Sequence, residues 1–218
     1  MRSPAISRTS GTRIRMRAVS RCTSPAAGRR RRHSRLRHEK LELPQRLADH
    51  GDSHSHAMKK LAIFCGPPCT GKSSAGRALG HAHLEMDAAR AALLPGAAHK
   101  RADRAIAYRA VLWTASHLLR YTDIVICDGG FGQEEDRDAC RALARESGAA
   151  LYWVEFTAPL DILLARNRAR RGHHPGLDLS DERVAEIVES YPWTGAGLVV
   201  DSSRPLAECI AAVGEYIQ

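Results

Sequence analysis

Short apolar runs alternate with longer amphipathic stretches in the last three quarters of the chain. The apolar runs cover 61–65, 122–127, 149–156 and 197–201, with a shorter segment at 83–86. Each is too short for a buried helix and predicts a strand. Amphipathic stretches between them predict helices at 73–79, 105–119, 136–145, 160–170, 181–189 and 205–216. The alternation predicts an α/β fold, a three-layer sandwich in which a mostly parallel five-stranded sheet carries helices on both faces. Ligands of such sheets bind at the carboxyl ends of the strands.

Residues 1–57 differ in composition from the rest of the chain. They contain 14 Lys and Arg residues and four acids, a net charge of +10, whereas residues 58–218 carry 19 basic and 20 acidic residues. The stretch from Arg2 to Arg37 holds 12 arginines, no acid and no apolar periodicity that could support a fold. We therefore predict a basic disordered leader over residues 1–57 and one compact domain over residues 58–218.

Three interpretations of the leader stay open. Its Arg-rich, Ser-rich and acid-poor composition is typical of an organellar transit peptide, and the run Arg29–Arg32 could contact nucleic acid. Met58, directly before the first predicted strand, instead indicates that the leader is upstream sequence translated from a misassigned start. The sequence favours this last interpretation, or an inert tail. The nearly neutral charge of residues 58–218 disfavours nucleic acid as the main partner.

The strongest chemical signal is the octamer GPPCTGKS, which follows the first predicted strand. It matches Gly-x-x-x-x-Gly-Lys-Ser in full and predicts a P-loop, whose backbone N–H groups cradle phosphates. Lys72 then reaches the β and γ phosphates, and the Ser73 hydroxyl binds Mg²⁺. The helix that opens at Lys72 adds its positive end. The predicted nucleotide-binding residues are Gly66, Pro67, Pro68, Cys69, Thr70, Gly71, Lys72, Ser73 and Ser74.

Asp87 and Arg90 are candidates for contacts with a second substrate. Asp87 lies 15 residues after Lys72, where the chain is expected to return to the phosphate end of the sheet. The i, i+3 spacing of Asp87 and Arg90 puts both on one face of a helix. The carboxylate could accept a hydroxyl proton while the guanidinium holds substrate or phosphate. The alternative, that Asp87 merely caps a helix beginning at Ala88, stays open.

Arg166 and Arg170 are spaced i, i+4 near the end of the predicted helix 160–170. A loop containing Gly and Pro follows at 171–176. A basic helix end before such a loop is typical of a mobile lid that brings arginines to phosphates and excludes water. A solvated charged face is the alternative.

The residues around Asp128 help to distinguish a kinase from a GTPase or a hydrolytic motor. Asp128 directly follows the apolar run of the predicted strand at 122–127, and Gly129 and Gly130 come next. A hydrolytic motor usually has a glutamate after this acid, and a GTPase requires an Asn-Lys-x-Asp sequence that the chain lacks. A carboxylate to activate an acceptor and cations that close over the phosphates favour a kinase instead. We predict Ser73 and Asp128 as Mg²⁺ ligands, the latter directly or through water.

Together these motifs resemble the small P-loop kinases of the zeta-toxin, polynucleotide 5′-hydroxyl kinase and chloramphenicol phosphotransferase type, which include AAA-type kinases. The resemblance covers about residues 60–218 and rests on the P-loop, the Asp-x-x-Arg pair, the strand ending in Asp128, the segment 156–170 and the terminal strand with its helix. It implies a P-loop NTPase fold with a parallel five-stranded sheet. It also implies that Asp87 is the base, and that Arg166 and Arg170 clamp ATP.

The predicted function is therefore Mg²⁺-dependent transfer of the γ-phosphate of ATP to a hydroxyl group of a small molecule. Lys72, Asp87, Arg166 and Arg170 are the predicted catalytic residues, and Asp87 and Arg90 the predicted acceptor-binding residues. A polynucleotide or nucleoside 5′-hydroxyl kinase, and a regulatory NTPase that is not a kinase, are the alternatives. The glycines after Asp128 depart from the family, whose members often have a small hydroxyl or amide residue there.

Cysteine and histidine usage adds a prediction of location. The six cysteines show no pairing pattern, and Cys65 and Cys127 fall in apolar strands, which predicts core thiols in a reducing cytoplasm. His81 and His83 have no cysteine or carboxylate at ligand spacing, and we predict solvated loop residues rather than a metal site. No apolar run approaches the roughly 20 residues of a membrane span.

Overall fold

The computed structural model describes residues 58–97, 100–173 and 179–218. The predicted leader, residues 1–57, lies outside the described residues, and so do residues 174–176 of the predicted lid loop. The described part of the chain alternates between strands and helices in this order: β1 Lys60–Cys65, α1 Lys72–Ala78, β2 Ala82–Glu85, α2 Met86–Leu93, α3 Arg101–Leu118, β3 Ile124–Asp128, α4 Glu134–Glu146, β4 Ala150–Thr157, α5 Leu160–Arg170, α6 Asp181–Glu189, β5 Leu198–Asp201 and α7 Leu206–Ile217.

The five strands form one sheet in the order β2-β3-β1-β4-β5, and every pairing is parallel. This confirms the predicted fold class. The predicted strands and helices between residues 58 and 218 are present, and most bounds move by only one or two residues. The apolar runs identify the strands because a central parallel strand is covered by helices on both faces.

Two apolar layers hold the helices against the sheet. On one face, α3 and α4 pack on side chains such as Leu61, Ile63 and Val125. On the other face, α1 and α7 pack on Phe64, Ile126 and neighbouring side chains. A separate small cluster joins α5 to α6. None of the helices in the described residues is long and apolar enough to cross a membrane.

Parallel pairing gathers the candidate site at one edge of the sheet. Asp128 lies opposite Phe64 of β1 and opposite Glu85 of β2. The P-loop leaves β1 directly after Cys65, and α2 leaves β2 directly after Glu85. The predicted Mg²⁺ ligand Asp128, the P-loop and the helix that carries Asp87 therefore lie side by side at the carboxyl ends of the strands.

Candidate active site

The P-loop adopts a wrapped backbone that its glycines permit. Gly66 has a φ of +138°, and a Cβ there would stand 2.3 Å from the carbonyl oxygen of Phe156. Gly71, at the N-cap of α1, has a φ of +82°, and Cys69 adopts a positive φ of 66°. Turns of this kind direct backbone N–H groups toward one concavity, which suits an anion. The Thr70 hydroxyl closes the turn by donating to the Pro67 carbonyl over 2.9 Å.

Lys72 folds back over the P-loop. Its ammonium donates to the carbonyls of Gly66 and Pro67 over 3.1 and 2.7 Å, and to the Thr70 hydroxyl over 3.2 Å. Burial lowers the pKa of Lys72, while the carboxylates of Asp128 and Asp87 act in the opposite direction. Lys72, Asp87 and Asp128 all line one cleft, so the ammonium and the two carboxylates share one site.

Asp128 has a partner that the sequence did not indicate. His83 Nε2 donates to Asp128 Oδ2 over 2.8 Å, and the side chains are only 8% and 7% exposed. The prediction that His83 is a solvated loop residue is wrong. His83 lies in strand β2, and its side chain is buried beside that of Asp128 on the neighbouring strand β3. His83 Nδ1 lies 3.7 Å from Glu85 Oε1. Arg77 binds both oxygens of the Glu85 carboxylate, over 2.7 and 2.8 Å.

The side chains of His83, Glu85 and Asp128 could also be considered as ligands of a metal ion. His83, Glu85 and Asp128 each offer an atom within 4.8 Å of the others. The guanidinium of Arg77 already binds Glu85, and His83 already binds Asp128, so two of the three groups are held by hydrogen bonds to neighbouring side chains. The donor set of Asp128 and Ser73, all oxygen, is the kind that Mg²⁺ prefers.

Asp87 lies in the first turn of α2. The helix begins at Met86 and its N-cap is Glu85, with no side-chain capping hydrogen bond. The alternative in which Asp87 caps a helix starting at Ala88 is therefore wrong. Asp87 Oδ1 lies 4.0 Å from Arg90 Nε, and both residues line the cleft. The Asp87 side chain is 40% exposed, whereas Arg90 is 3% exposed.

Arg166 and Arg170 both line the cleft, but their contacts differ. Arg166 donates to the Ser202 hydroxyl and carbonyl over 3.0 and 2.7 Å, and to the Cys69 carbonyl over 3.3 Å. It thereby joins α5 to the P-loop and to the turn after β5. Arg170 makes no such bond within the described residues, and its charge acts on the Cys69 thiol. Residues 174–176 of the predicted lid loop lie outside the described residues.

Three side chains hold the loop that follows Asp128. Phe131 is buried with a φ of +43°. Its N–H donates to the Tyr108 hydroxyl over 2.9 Å, and its carbonyl accepts from Arg137 Nε over 2.7 Å. The Tyr191 hydroxyl donates to the Gly130 carbonyl over 2.6 Å. The glycines that depart from the family pattern therefore belong to a rigid loop, because partners from α3, α4 and the segment after α6 bind its backbone.

A buried acid of β4 binds the backbone of the segment that follows α6. Glu155 on β4 is 1% exposed, and its carboxylate accepts the N–H groups of Thr194 and Gly195 over 2.6 and 3.1 Å. It anchors the segment that carries Tyr191. The ring of Trp193 packs edge-on against Tyr191, with centroids 4.6 Å apart. The apolar pattern of β4 did not indicate a functional role for Glu155, since one acid in a strand gives no periodic signal.

A single cleft of about 970 Å³ is lined by the P-loop with Lys72, and by Asp87, Asp128, Arg166 and Arg170. Its first half is formed by the P-loop, Arg166, Arg170 and the turn at Ser202. Its second half is formed by α2, α3, the loop after β3 and the residues that follow α6.

Residues 61–192 match the AAA_33 family of AAA domains, and the chain belongs to this family. It is also similar to Rv2004c, an uncharacterised protein of Mycobacterium tuberculosis, with 27% identity over 166 residues. That alignment covers 69% of this chain and 33% of the relative. The chain thus spans about a third of the length of the curated relatives it matches.

Solved kinases share the fold. A candidate kinase of Chloroflexus aurantiacus is 22% identical with a TM-score of 0.61, over 74% of this chain and 100% of that one. The APS kinase CysC of M. tuberculosis, in complex with AMPPNP and APS, is 20% identical with a TM-score of 0.56, over 73% and 97%. A gluconokinase of Sinorhizobium meliloti is 20% identical with a TM-score of 0.53, over 73% and 94%. The fold is therefore that of the small P-loop kinases.

Proposed function

We propose that residues 58–218 form an ATP-dependent kinase that transfers the γ-phosphoryl group of ATP to a hydroxyl group of a small molecule. The observation that carries this proposal is the placement of Asp87. Asp87 lines the same cleft as the P-loop and Lys72, and its carboxylate acts to raise the pKa of Lys72. A nucleotide-hydrolysing site has no need of an acid at the second-substrate side, whereas phosphoryl transfer to a hydroxyl does.

The P-loop binds the triphosphate in this proposal. Its backbone N–H groups and Lys72 contact the β and γ phosphates, and Arg170 reaches the transferred group from α5. Ser73 and Asp128 are the residues that would hold Mg²⁺, which supplies charge neutralisation between the β and γ phosphates. The bond from His83 to Asp128 Oδ2 would hold this carboxylate in position for the metal.

The acceptor binds in the second half of the cleft, with its hydroxyl between Asp87 and the γ phosphate. The hydroxyl oxygen forms a bond to the γ phosphorus as the bond from that phosphorus to the bridging oxygen breaks. The hydroxyl proton passes to the Asp87 carboxylate, and ADP departs with its charge bound by Lys72. Positioning contributes more than proton transfer here, because the transition state is loose.

The domain charge favours a small acceptor over a polynucleotide. Residues 58–218 carry 19 basic and 20 acidic residues, and a nucleic-acid backbone requires a continuous basic surface. The described cysteines are free thiols, which supports a reducing compartment such as the cytoplasm.

The first experiment measures ATP binding and acceptor-dependent turnover with the full chain. Calorimetry with Mg²⁺ and ATP is expected to show binding that Lys72→Ala abolishes while circular dichroism stays unchanged. Lys59→Ala is the matched control, because Lys59 pairs with Asp123 over 3.0 Å outside the cleft. Absence of ATP binding by the wild-type chain would contradict the proposal.

A second measurement separates the kinase from its alternatives. ATP consumption is followed with small hydroxyl compounds, with nucleosides and with 5′-hydroxyl oligonucleotides. Label transferred from γ-labelled ATP to a small compound supports the proposal. Transfer to an oligonucleotide alone would favour a polynucleotide kinase, and hydrolysis that no hydroxyl compound accelerates would favour a regulatory NTPase.

A further inference from the structure

A buried amide on α5 lies where the P-loop, α5 and the start of α6 meet. Asn167 is 1% exposed, although it stands in the sequence between Arg166 and Arg168. The proposed phosphoryl transfer assigns it no role. An amide buried this deeply loses its hydrogen bonds to water, and protein groups must replace them. The partners of Asn167 therefore indicate what it holds in place.

These partners come from two other parts of the chain. Asn167 Nδ2 donates to the Leu179 carbonyl over 2.9 Å and to Asp181 Oδ1 over 3.1 Å. Asn167 Oδ1 accepts from the Cys69 thiol over 3.8 Å. Because a carbonyl and a carboxylate can only accept, the partners also fix which end of the amide faces which neighbour. Asn167 thus joins α5 to the P-loop on one side and to the start of α6 on the other.

Apolar contacts alone define this region poorly. The cluster that joins α5 to α6 has three buried members in the described part of the chain, Ala158, Leu163 and Val184, far fewer than either layer on the sheet. Apolar burial has no directional preference, whereas a hydrogen bond fixes both distance and angle. The bonds of Asn167 therefore set the orientation of α5 relative to the P-loop.

The orientation of α5 decides where Arg170 points. Arg166 and Arg170 both line the cleft beside the P-loop. Arg166 is held by its own bonds to Ser202 and to the Cys69 carbonyl. Arg170 is the last residue of α5, one turn beyond Arg166, and its charge acts on the Cys69 thiol. A small rotation of α5 would therefore move Arg170 more than Arg166.

We propose that Asn167 is a positioning residue of the nucleotide site, which holds α5 against the P-loop so that Arg170 reaches the γ phosphate of ATP. This inference rests on the proposed kinase function and adds a residue that acts through another one. Asn167 is not among the residues that line the cleft, so it does not need to touch the nucleotide. Displacing a positioned charge by a fraction of its contact distance removes much of its effect.

The test compares AMPPNP with ADP, because only AMPPNP carries a group at the γ position. Calorimetry with Mg²⁺ measures the Kd of both nucleotides for the full chain. Asn167→Leu keeps the approximate size of the side chain but makes no hydrogen bond. It is expected to weaken AMPPNP binding about tenfold and to leave ADP binding within about twofold of wild type. A substitution that only loosened the fold would weaken both nucleotides alike.

A double-mutant cycle identifies the residue through which Asn167 acts. Arg170→Ala should lower the preference for AMPPNP over ADP, and the addition of Asn167→Leu should lower it little further. Asn167→Ser keeps one hydroxyl donor and should lose less of the preference than Asn167→Leu. The serine variant also provides the measurement if the leucine variant does not fold, which circular dichroism and urea denaturation establish for each protein.

Arg168→Ala is the matched control. Arg168 Nε also donates to Asp181, to Oδ2 over 2.5 Å, but its side chain is 63% exposed and lies outside the cleft lining. Its preference for AMPPNP over ADP should match wild type.

The outcomes separate this inference from the proposed function. If the wild-type chain binds AMPPNP and the Asn167 variants keep its preference, the positioning role is wrong and the kinase proposal stands. Equal losses from Asn167→Leu with and without Arg170, or an equal loss in Arg168→Ala, would have the same meaning. If the wild-type chain binds neither nucleotide, the kinase proposal fails and this inference fails with it.

Discussion

His83 and Asp128 form a buried hydrogen bond of 2.8 Å between β2 and β3, and a helical glycine makes room for it. Gly76 lies inside α1, where a Cβ would stand 2.4 Å from His83 Nε2. Glycine costs a helix interior about 1 kcal/mol relative to alanine. The imidazole ring of His83 lies so close to the backbone of α1 that a side chain larger than glycine would clash with it at position 76.

Gly76→Ala is therefore expected to disturb the metal site without altering any charged residue. The added methyl group displaces the His83 ring, and Asp128 loses the partner that orients it. We expect the Mg²⁺ concentration for half-maximal ATP binding to rise about tenfold, as for His83→Ala. Calorimetric titrations at several Mg²⁺ concentrations measure this change.

Gly214→Ala is the matched control for that experiment. Gly214 also lies in a helix, α7, but its Cβ would only reach ordinary contact with Leu79 at 3.8 Å. Its Mg²⁺ dependence should match wild type. Equal Mg²⁺ dependence in Gly76→Ala and wild type would show that His83 does not orient Asp128.

Asp87→Asn tests the proposed base. The amide keeps the shape of the side chain but cannot take the hydroxyl proton, so turnover with an acceptor should fall about 100-fold or more. ATP affinity should stay within a few-fold of wild type. Stability should change little, because Asp87 is not the N-cap of α2. Stopped-assay kinetics and urea denaturation supply both values, and turnover close to wild type would exclude the catalytic role.

Arg166 and Arg170 are expected to respond differently to substitution. Arg166→Ala removes the bonds to Ser202 and Cys69, and we expect it to lower the free energy of unfolding by about 1–3 kcal/mol and to weaken ATP binding. Arg170→Ala removes no such bond, so stability should persist while turnover falls about tenfold or more. Urea denaturation beside steady-state kinetics distinguishes them, and equal loss of stability in both variants would contradict this division.

Cysteine alkylation should report on the P-loop. Burial raises the pKa of Cys69 above its ordinary value, against the opposing charges of Arg170 and Lys72. Its thiolate fraction at pH 7 is therefore smaller than that of a free cysteine, and its labelling by iodoacetamide should rise steadily with pH up to at least 9. Burial raises the pKa of Cys65 to about 12, so Cys65 should stay unlabelled.

ATP with Mg²⁺ is expected to protect Cys69 from that reagent, because the nucleotide phosphates would cover the loop. Peptide mass spectrometry resolves Cys69 from the other cysteines. Rapid labelling that reaches a plateau below pH 8, or no protection by ATP, would contradict the expectation.

The sequence predicts the sheet and the P-loop because both depend on local patterns. Runs such as Leu61–Cys65 are apolar throughout, which indicates a buried strand. The residues of the P-loop follow one another in the sequence, so their motif can be recognised directly. His83 and Glu155 gave no such signal, since each acts through a partner far away in the chain, Asp128 and the 194–195 backbone respectively. The alternative in which α2 starts at Ala88 placed the start two residues late, because aspartate is a favoured capping residue.

The bonds of Lys72 to its own loop bear on which anions the P-loop admits. The ammonium gives up two carbonyl oxygens and one hydroxyl oxygen before it can turn to a ligand. An anion that draws the ammonium away from the loop must therefore replace all three oxygens as hydrogen-bond acceptors. The same three bonds fix the side chain of Lys72 across the turn that it follows, so the lysine also acts as a brace for the loop backbone.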